Sequence, residues 1–411
     1  MKVLVLGGDG YLGWPVALHL SSAGHEVEIV DSGIRRAFDR EMGYDSLNPI
    51  STLDERVAKW EQVSGAHIRA HPVDITDYAA LSAVFEAMLP DAVVHFAEQR
   101  SAPYSMIDRQ HAVFTQTNNL VGTLNLLYCL AEHRPECHLI KLGTMGEYGT
   151  PGIDIEEGFI EIHHKGRSDV LPFPKQANSF YHLSKVHDSH NIEFVCRTWK
   201  LRATDLHQGV VYGFHTGDTD RASKLETRFD YDQVFGTALN RFCVQAALGL
   251  PLSVYGKGGQ TRGYINIRDT LACIELTLNN PAEVGRYRVF NQFTEQFNLN
   301  DIATRVVSAA AEMGLQARID HVDNPRTESE SHHFNAAHSK LQTLGLEPHL
   351  LDAPTIQGLI ALATRHADRV DPAALNPTVN WRRTRSVLSP EDKVAEQSSV
   401  AAPWLESVKV R

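Results

Sequence analysis

The first thirty-one residues constrain the fold of this chain more than any other segment. Lys2-Val3-Leu4-Val5-Leu6 is a short apolar run with branched residues, the pattern of a strand buried on both faces of a parallel sheet. Gly7-Gly8-Asp9-Gly10-Tyr11-Leu12-Gly13 follows at once, and Val16-Ala17-Leu18-His19-Leu20 continues as a helix ended by Gly24. Val27-Glu28-Ile29-Val30 reads as a second strand, closing on Asp31 and Ser32. Glycines at such a turn let the backbone approach a pyrophosphate, which sits against the free N–H groups opening the helix. An acid at the end of the second strand accepts hydrogen bonds from the adenosine ribose and repels a 2′-phosphate. A lone Gly-rich turn is an ordinary loop. Strand, helix, strand and acid in register point instead to a dinucleotide site over Gly7, Gly8, Asp9, Gly10, Tyr11, Leu12, Gly13, Asp31 and Ser32, with NAD favoured over NADP. Arg35-Arg36, just beyond Asp31, is the pair that could hold a 2′-phosphate instead.

Length and charge narrow the class. The chain has 411 residues, 43% hydrophobic and 22% charged, enough for a large core in two lobes. A net charge of −11 argues against nucleic acid or an anionic membrane as partner. No apolar run approaches the ~20 residues that span a bilayer, so no integral membrane contact is expected. The first strand begins at Lys2, which leaves no room for a signal peptide. Cys129, Cys137, Cys196, Cys243 and Cys273 show no framework or metal spacing and read as reduced core thiols, so a cytoplasmic location is expected.

Strands and helices alternate along the chain. Strands read at 68–73, 92–96, 138–142 and 201–206, and helices at 78–88, 113–132 and 180–199. The alternation predicts a Rossmann-type, doubly wound parallel α/β sheet with ligands at the carboxyl ends of its strands. Asp74-Ile75 would then lie by the adenine, and the segment from Phe96 to Arg100 near the pyrophosphate and the sugar. Residues 52–63 read as an amphipathic helix that only packs. Ile153-Asp154-Ile155 and the alternating stretch from Phe159, with a turn at Lys165-Gly166, read as a hairpin that could cover the site. The boundaries expected are a cofactor domain over 1–208 with a return segment near 236–272, an interleaved substrate lobe over 209–235 and 273–375, and a tail over 376–411. In that reading, 236–248 is a helix and 263–269 a returning strand. The stretch from Asp371, rich in Pro, Ser and charge, is expected to be loosely ordered.

Tyr181 and Lys185 supply the chemistry. Four residues apart, they share a helix face about 6 Å apart along the axis. A phenol with its ordinary pKa near ~10 is a poor base, but an ammonium within ~4–6 Å favours the phenolate. Tyr181 can then take a hydroxyl proton while hydride leaves the same carbon, and Thr144 can hydrogen-bond that hydroxyl. The histidine clusters (His163-His164, His187 with His190, His332-His333) lack the acids of a zinc motif, and no metal is expected.

Longer strings are more specific than these motifs: GGDGYLGW from Gly7, FAEQRSAPYSMIDR from Phe96, KLGTMGEYGTP from Lys141, PKQANSFYHLSKVHDSHN from Pro174, VFGTALNRF from Val234, VYGKGGQTRGY from Val254 and FNQFTEQF from Phe290. With them the chain resembles the extended short-chain dehydrogenase/reductase superfamily, the nucleotide-sugar epimerases and dehydratases. The resemblance extends to about Trp381. It implies the trio Thr144, Tyr181 and Lys185, and NAD contacts from Gly8, Asp9, Asp31, Arg36, Asp74, Ile75, Asn118 and Lys185. Gln208 and Val211 complete the expected cofactor set. It also implies UDP-glucose contacts from Arg100, Gln176, Gln208, Asn240, Arg241, Tyr255, Gln260, Arg262, Arg326 and Glu328, with Thr144 and Thr237 joining them. His207 stands where the resemblance implies Asn.

Within that superfamily the strings are most similar to the branch that joins sulfite to UDP-glucose for sulfolipid synthesis. The implied course is oxidation at C4, loss of the C5 proton and C6 hydroxyl to a 4-keto-5,6-ene, addition of sulfite at C6, and reduction at C4. The resemblance further implies a homodimer and allows a sulfite-delivering protein. A UDP-hexose 4-epimerase or 4,6-dehydratase is the alternative. In 4,6-dehydratases an Asp-Glu pair follows the Thr; here those positions are Met145 and Gly146. Tyr181, His182 and Glu147 remain candidates for proton transfer at C5 and C6, with Met145 a shape element near C6.

Overall fold

The computed structural model describes residues 1–329 and 332–381. The apolar runs gather into one sheet of seven parallel strands. Their order is Tyr287–Gln292, Arg202–Gln208, His138–Thr144, Ala92–His95, Lys2–Leu6, Glu26–Val30 and Ile68–His71. The direction of winding reverses at Lys2–Leu6, whose Leu6 sits between Val30 and His95. That reversal opens a crevice at the carboxyl ends of the strands, the place where such sheets bind ligands. Alternation along Lys2–Leu6 feeds both faces: Val3 and Val5 pack with Trp14, Leu18 and Ile274, while Leu4 and Leu6 pack with Phe85, Leu126 and Ile192.

The first turn needs its glycines. Gly7 has φ +83°, and a Cβ on Gly13 would stand 2.1 Å from Gly7 O. The helix Gly13–Ser22 can therefore start only because both positions lack side chains. Thr52 caps the inserted helix Leu53–Ser64 in a reciprocal box with Glu55. This helix does more than pack. Its Arg56 is fully buried, stacks 4.3 Å from the Trp14 ring and places Nη1 2.8 Å from Asp9 Oδ1. It thereby braces the turn.

The second lobe has its own core. Ala238–Ala247, Leu299–Glu312 and Ala353–Arg365 pack through Leu239, Phe242, Ile302, Val306, Ile356 and Ile360. The return segment expected at 236–272 therefore divides. Its helix Ala238–Ala247 lies in this second core, and Thr261–Asn266 joins a small three-stranded sheet. The strand that returns to the main sheet is Tyr287–Gln292, because its apolar Val289 and Phe290 pair with Arg202–Gln208.

Three other expectations change. The helix near 113–132 is three joined pieces, Arg109–Gln116, a π-turn Thr117–Val121 and Gly122–His133. A Cβ on Gly122 would stand 2.3 Å from Ile75, so the chain bulges where it passes that side chain. The hairpin is Phe159–His164 with Arg167–Pro172 around Lys165-Gly166, and Ile155 bridges Ala336 instead of joining it. Among the described residues that line the site cavity, none comes from the hairpin. The second strand is almost wholly exposed, and the first is only partly buried, with Ile160 packed against the Tyr148 and Phe173 cluster and Phe159 against Tyr287. The stretch after Asp371 is packed as far as it is described, with Ala374, Leu375 and Val379 buried; the rest of the expected tail lies outside the described residues. Among the described residues, no helix is long and apolar enough to cross a membrane.

Arg56 gives the first prediction. Arg56→Ala removes one of two cations on a buried carboxylate, and breaking such a pair costs about 3–5 kcal/mol. Denaturant unfolding of the cofactor-free protein should show a loss of that size; a loss below about 1 kcal/mol would mean that Arg36 alone suffices for Asp9.

Candidate active site

A cavity of about 470 Å³ lies between the two lobes at the strand ends. At one end it is lined by Gly7, Gly10, Tyr11, Leu12, Gly13, Asp31 and Ser32, with Asp74, Ile75 and Asn118 nearby. Asp31 accepts the N–H groups of Asp9 (2.9 Å) and Gly33 (2.7 Å). Burial and the neighbouring Asp9 raise its pKa above the ordinary value. Neither arginine beyond it is free for a 2′-phosphate. Arg36 holds the Asp9 carboxylate (2.6 and 3.0 Å), and Arg35 is paired with Asp39 and Asp230. A backbone cradle that a Cβ would fill, next to an acid facing the cavity, fits a dinucleotide without a 2′-phosphate. Gly8, Asp9 and Arg36 do not themselves line the cavity. Gly8 lies against Ile29, and Asp9 is turned inward to its two arginines.

The trio converges at the other end of this wall. Thr144 ends its strand, and Tyr181 and Lys185 lie one turn apart on Phe180–Trp199, which Ser179 caps by accepting the His182 N–H. Lys185 Nζ is 5.9 Å from the Tyr181 ring centroid, donates to Leu142 O and pairs with Glu98. Burial pushes the Tyr181 phenol above its ordinary value, and Lys185 and Arg100 pull it part of the way back. The ammonium acts as expected, but burial outweighs it. Thr144 Oγ1 accepts the Gly146 N–H at 3.1 Å, which leaves its hydroxyl proton to donate.

Met145, Gly146 and Glu147 form a 3₁₀ turn, and the turn separates their roles. Met145 and Gly146 line the cavity; Glu147 does not. Its carboxylate is fully buried behind the turn, where Oε1 accepts the Thr144 N–H (3.2 Å) and Oε2 accepts Lys175 Nζ (2.5 Å) and Ser189 Oγ (2.8 Å). Burial works against its charge, but Lys175 and His207 hold its pKa below the ordinary value. Glu147 thus props Thr144 and cannot touch a ligand. His182 does line the cavity, with Nδ1 3.0 Å from Ser179 Oγ. Burial, then Arg326 and Arg262, lower it to about 3, so its ring is neutral at ordinary pH. A Cβ at Gly146 would stand 2.3 Å from its Nε2 and Cδ2. The imidazole occupies the space that a side chain at 146 would need.

The remaining wall is cationic. Arg100, Arg241, Arg262 and Arg326 line it, with Gln208, Val211, Thr237, Asn240, Tyr255, Gln260 and Glu328. Arg262 pairs with Glu328, and Arg241 stacks 4.4 Å from the Tyr255 ring. Gln176 is the exception: its carbonyl lies where a Cβ on Gly149 would be, 2.0 Å away, and Asn178 of the same loop reaches the cavity instead. Sequence reasoning missed Glu98, Asp230 and Trp381. Asp230 is bonded by Arg35 and Arg100 from 195 and 130 positions away, which no local pattern reveals. Among the described residues, Glu147, Asp205 and His207 bring ligand atoms within 4.8 Å of one another, a spacing a metal could use. Lys175 already supplies a cation to Glu147 there, and Ser189 and Tyr287 donate to Asp205.

Comparison with known proteins shows the family of the chain. Residues 3–291 match the model of the NAD dependent epimerase/dehydratase family. The chloroplastic UDP-sulfoquinovose synthase of Spinacia oleracea is 57% identical over 93% of this chain and 79% of its own length. The UDP-sulfoquinovose synthase of Sulfolobus acidocaldarius is 43% identical over 94% of this chain and 99% of its own. Among solved structures, a UDP-glucose 4-epimerase from Stenotrophomonas maltophila with bound NAD and formylated UDP-arabinopyranose superposes with a TM-score of 0.67. It covers 90% of this chain and 99% of its own at 20% identity, a likeness of fold.

Gly146→Ala tests the packing of His182. The new methyl must displace the ring, and a misplacement of about 1 Å can lower turnover on the order of 10²-fold. Steady-state turnover should fall by that order while bound dinucleotide, read by its absorbance, is retained. Turnover within about twofold of wild type would show that the ring position does not matter.

Proposed function

The chain belongs to the NAD dependent epimerase/dehydratase family, and on that footing we propose that it joins sulfite to UDP-glucose, the reaction of a UDP-sulfoquinovose synthase. The observation that carries this reading is likeness to two such enzymes over more than nine-tenths of the chain, with Thr144, Tyr181 and Lys185 on one cavity wall. The epimerase likeness at 20% identity concerns the fold and leaves the reaction open. A 4,6-dehydratase of the kind that follows its Thr with Asp-Glu is disfavoured by the turn, which has no room for a side chain at Gly146.

NAD, when bound, supplies the hydride acceptor and then the donor at C4 of the sugar. The chain's residues do the rest. The glycine turn and Asp31 hold the dinucleotide. Arg241, Arg262 and Arg326 face the diphosphate of the sugar nucleotide, where a fork of N–H donors suits phosphate oxygens. Tyr181 takes the proton of the 4-hydroxyl, with Lys185 offsetting part of the rise that burial imposes on the phenol, while Thr144 donates to the same oxygen. The 4-ketone acidifies C5–H. Loss of that proton and of the C6 hydroxyl as water leaves a conjugated 5,6-ene. Sulfite forms a C–S bond at C6, C5 regains a proton, and C4 is reduced, so the net change is UDP-glucose plus bisulfite to UDP-sulfoquinovose plus water. With Glu147 turned away, His182 and Tyr181 are the groups placed to move protons at C5 and C6. Neutral His182 can accept a proton, becoming a cation, and return it later in the cycle, which restores the neutral resting ring. A reducing compartment such as the cytoplasm suits five free, buried thiols, and sulfite can arrive free or from a delivering protein.

We also propose a homodimer. Val113, Val121, Leu124 and Tyr128 on the bulged helix, and Phe180, Leu183, Phe194 and Trp199 on Phe180–Trp199, are large apolar side chains left exposed. Tyr128 and Trp199 already meet at 5.1 Å across the two helices. Leu127 and Leu130 of the same helix are buried in the core and take no part in this surface. Paired with a second copy, the two helices would bury the stripe.

Purified protein given UDP-glucose and sulfite should yield UDP-sulfoquinovose by mass spectrometry with no net change in nicotinamide absorbance. Tyr181→Phe should be slower by about 10²–10⁴-fold, the range for a general base. Formation of UDP-galactose with sulfite unused would replace this reading by the epimerase one. Sedimentation at micromolar concentration should give twice the chain mass, and a monomer there would remove the dimer.

A further inference from the structure

Residues 376–381 form a strap that joins two parts of the cavity wall. At one end Gln233 N–H donates to Ala374 O (2.9 Å), and Gln233 Nε2 donates to Thr378 Oγ1 (2.7 Å). Gln233 precedes Val234 and Phe235, which line the cavity. At the other end Trp381 N–H donates to Pro325 O at 3.0 Å, immediately before Arg326. Between these ties Val379 is buried against an aromatic cluster of Phe38, Tyr104 and Phe235.

Trp381 itself reaches the cavity, and its ring lies 5.4 Å from Arg326 Cζ. The other three arginines of this wall have polar partners: Arg100 pairs with Asp230, Arg262 pairs with Glu328, and Arg241, which also stacks on Tyr255, donates to Ser253 O. For Arg326 the orienting contact is an aromatic ring. A carboxylate partner uses up N–H donors, whereas a ring against a guanidinium leaves the in-plane fork open for an anion.

We propose that Trp381 is a positioning residue for the substrate diphosphate: by holding Arg326 turned into the cavity, the C-terminal strap sets the affinity for the nucleotide sugar. The inference rests on the nucleotide-sugar reading of this site. It assigns a binding role to a segment that the sequence suggests is a loosely ordered tail.

UDP binding to the NAD-loaded full chain, measured by calorimetry, tests it. Trp381→Leu keeps apolar bulk in the cluster and removes the ring face. It should weaken UDP by about 3- to 30-fold, the range of a cation–π contact. Trp381→Phe should restore most of the affinity. In an Arg326→Ala background the Leu substitution should change UDP affinity by no more than about twofold, because the partner is already gone. KM for UDP-glucose should rise with the dissociation constant while kcat stays within about twofold, as for lost uniform binding. UDP binding by Trp381→Leu equal to wild type would overturn the proposal. An equal loss with and without Arg326 would also overturn it and leave Trp381 a packing residue. Failure of the wild-type protein to bind UDP would instead remove the nucleotide-sugar reading, and this inference with it.

Discussion

Asp230 is the carboxylate on which the two lobes close. It is buried, and it takes Arg35 Nη2 (2.9 Å) and Arg100 from the sheet side and Arg228 Nη2 (3.3 Å) from its own loop. Burial opposes its charge, but the three guanidiniums hold its pKa well below the ordinary carboxylate range. Arg228 is further bonded to Asp39, so the cluster balances three cations with two anions. Removing either anion would leave like charges facing each other in a dry seam. The cavity depends on this seam. Arg100 leaves the end of the Ala92–His95 strand, and Asp230 opens the loop that continues through Val234, Phe235 and Thr237 along the cavity wall.

A second level of order lies behind the catalytic wall. The turn Met145–Glu147 carries Met145 and Gly146 toward the cavity and Glu147 away, and the buried one holds the others in place. Glu147 bonds the Thr144 N–H, Lys175 and Ser189, and Ser189 also bonds Asp205, which accepts the Tyr287 hydroxyl. The Thr144 hydroxyl is therefore backed by a fully buried polar network rather than by a mobile loop. Preorganisation of this kind lets one hydroxyl and one phenol serve the same substrate oxygen without a reorganisation step.

What sequence made legible, and what it did not, follows the range of the interaction involved. The glycine turn, Asp31, the seven-residue reach to Thr144 and the Tyr181–Lys185 turn are local patterns, and their elements fall where periodicity puts them. Contacts between distant segments left no such trace. The place of Tyr287–Gln292 in the sheet is an example, since a six-residue strand of mixed polarity can join either lobe until its partner is known. Glu147 shows a different limit. A strand would have turned it outward by alternation, and a 3₁₀ turn also turns it away from the cavity, but as a brace with its own ion pair. Arg56 reads as part of a helix that only packs, and Trp381 as part of a loose tail, because neither spacing nor composition reveals a carboxylate 47 positions away or a guanidinium contacted across the fold.

The electrostatics of the cavity run against those of the whole. The chain carries −11, yet Arg100, Arg241, Arg262 and Arg326 converge on one wall. Every molecule assigned to this site is an anion: a dinucleotide, a sugar nucleotide and sulfite. An acidic surface repels such ligands only at close range at moderate salt, because charges more than about 10 Å apart are largely screened. Selectivity must then arise inside the cavity, where low dielectric makes a fixed guanidinium count for more. The same local field keeps His182 neutral: burial disfavours its charge, and Arg326 and Arg262 disfavour it further. One set of arginines thus gives the cavity its positive field and adds to the burial that keeps the side chain lying over Gly146 neutral. The substrate's own diphosphate would offset those arginines when bound. Burial would then be the main force keeping the imidazole neutral, and its pKa would rise toward the range where a proton can be exchanged during the reaction.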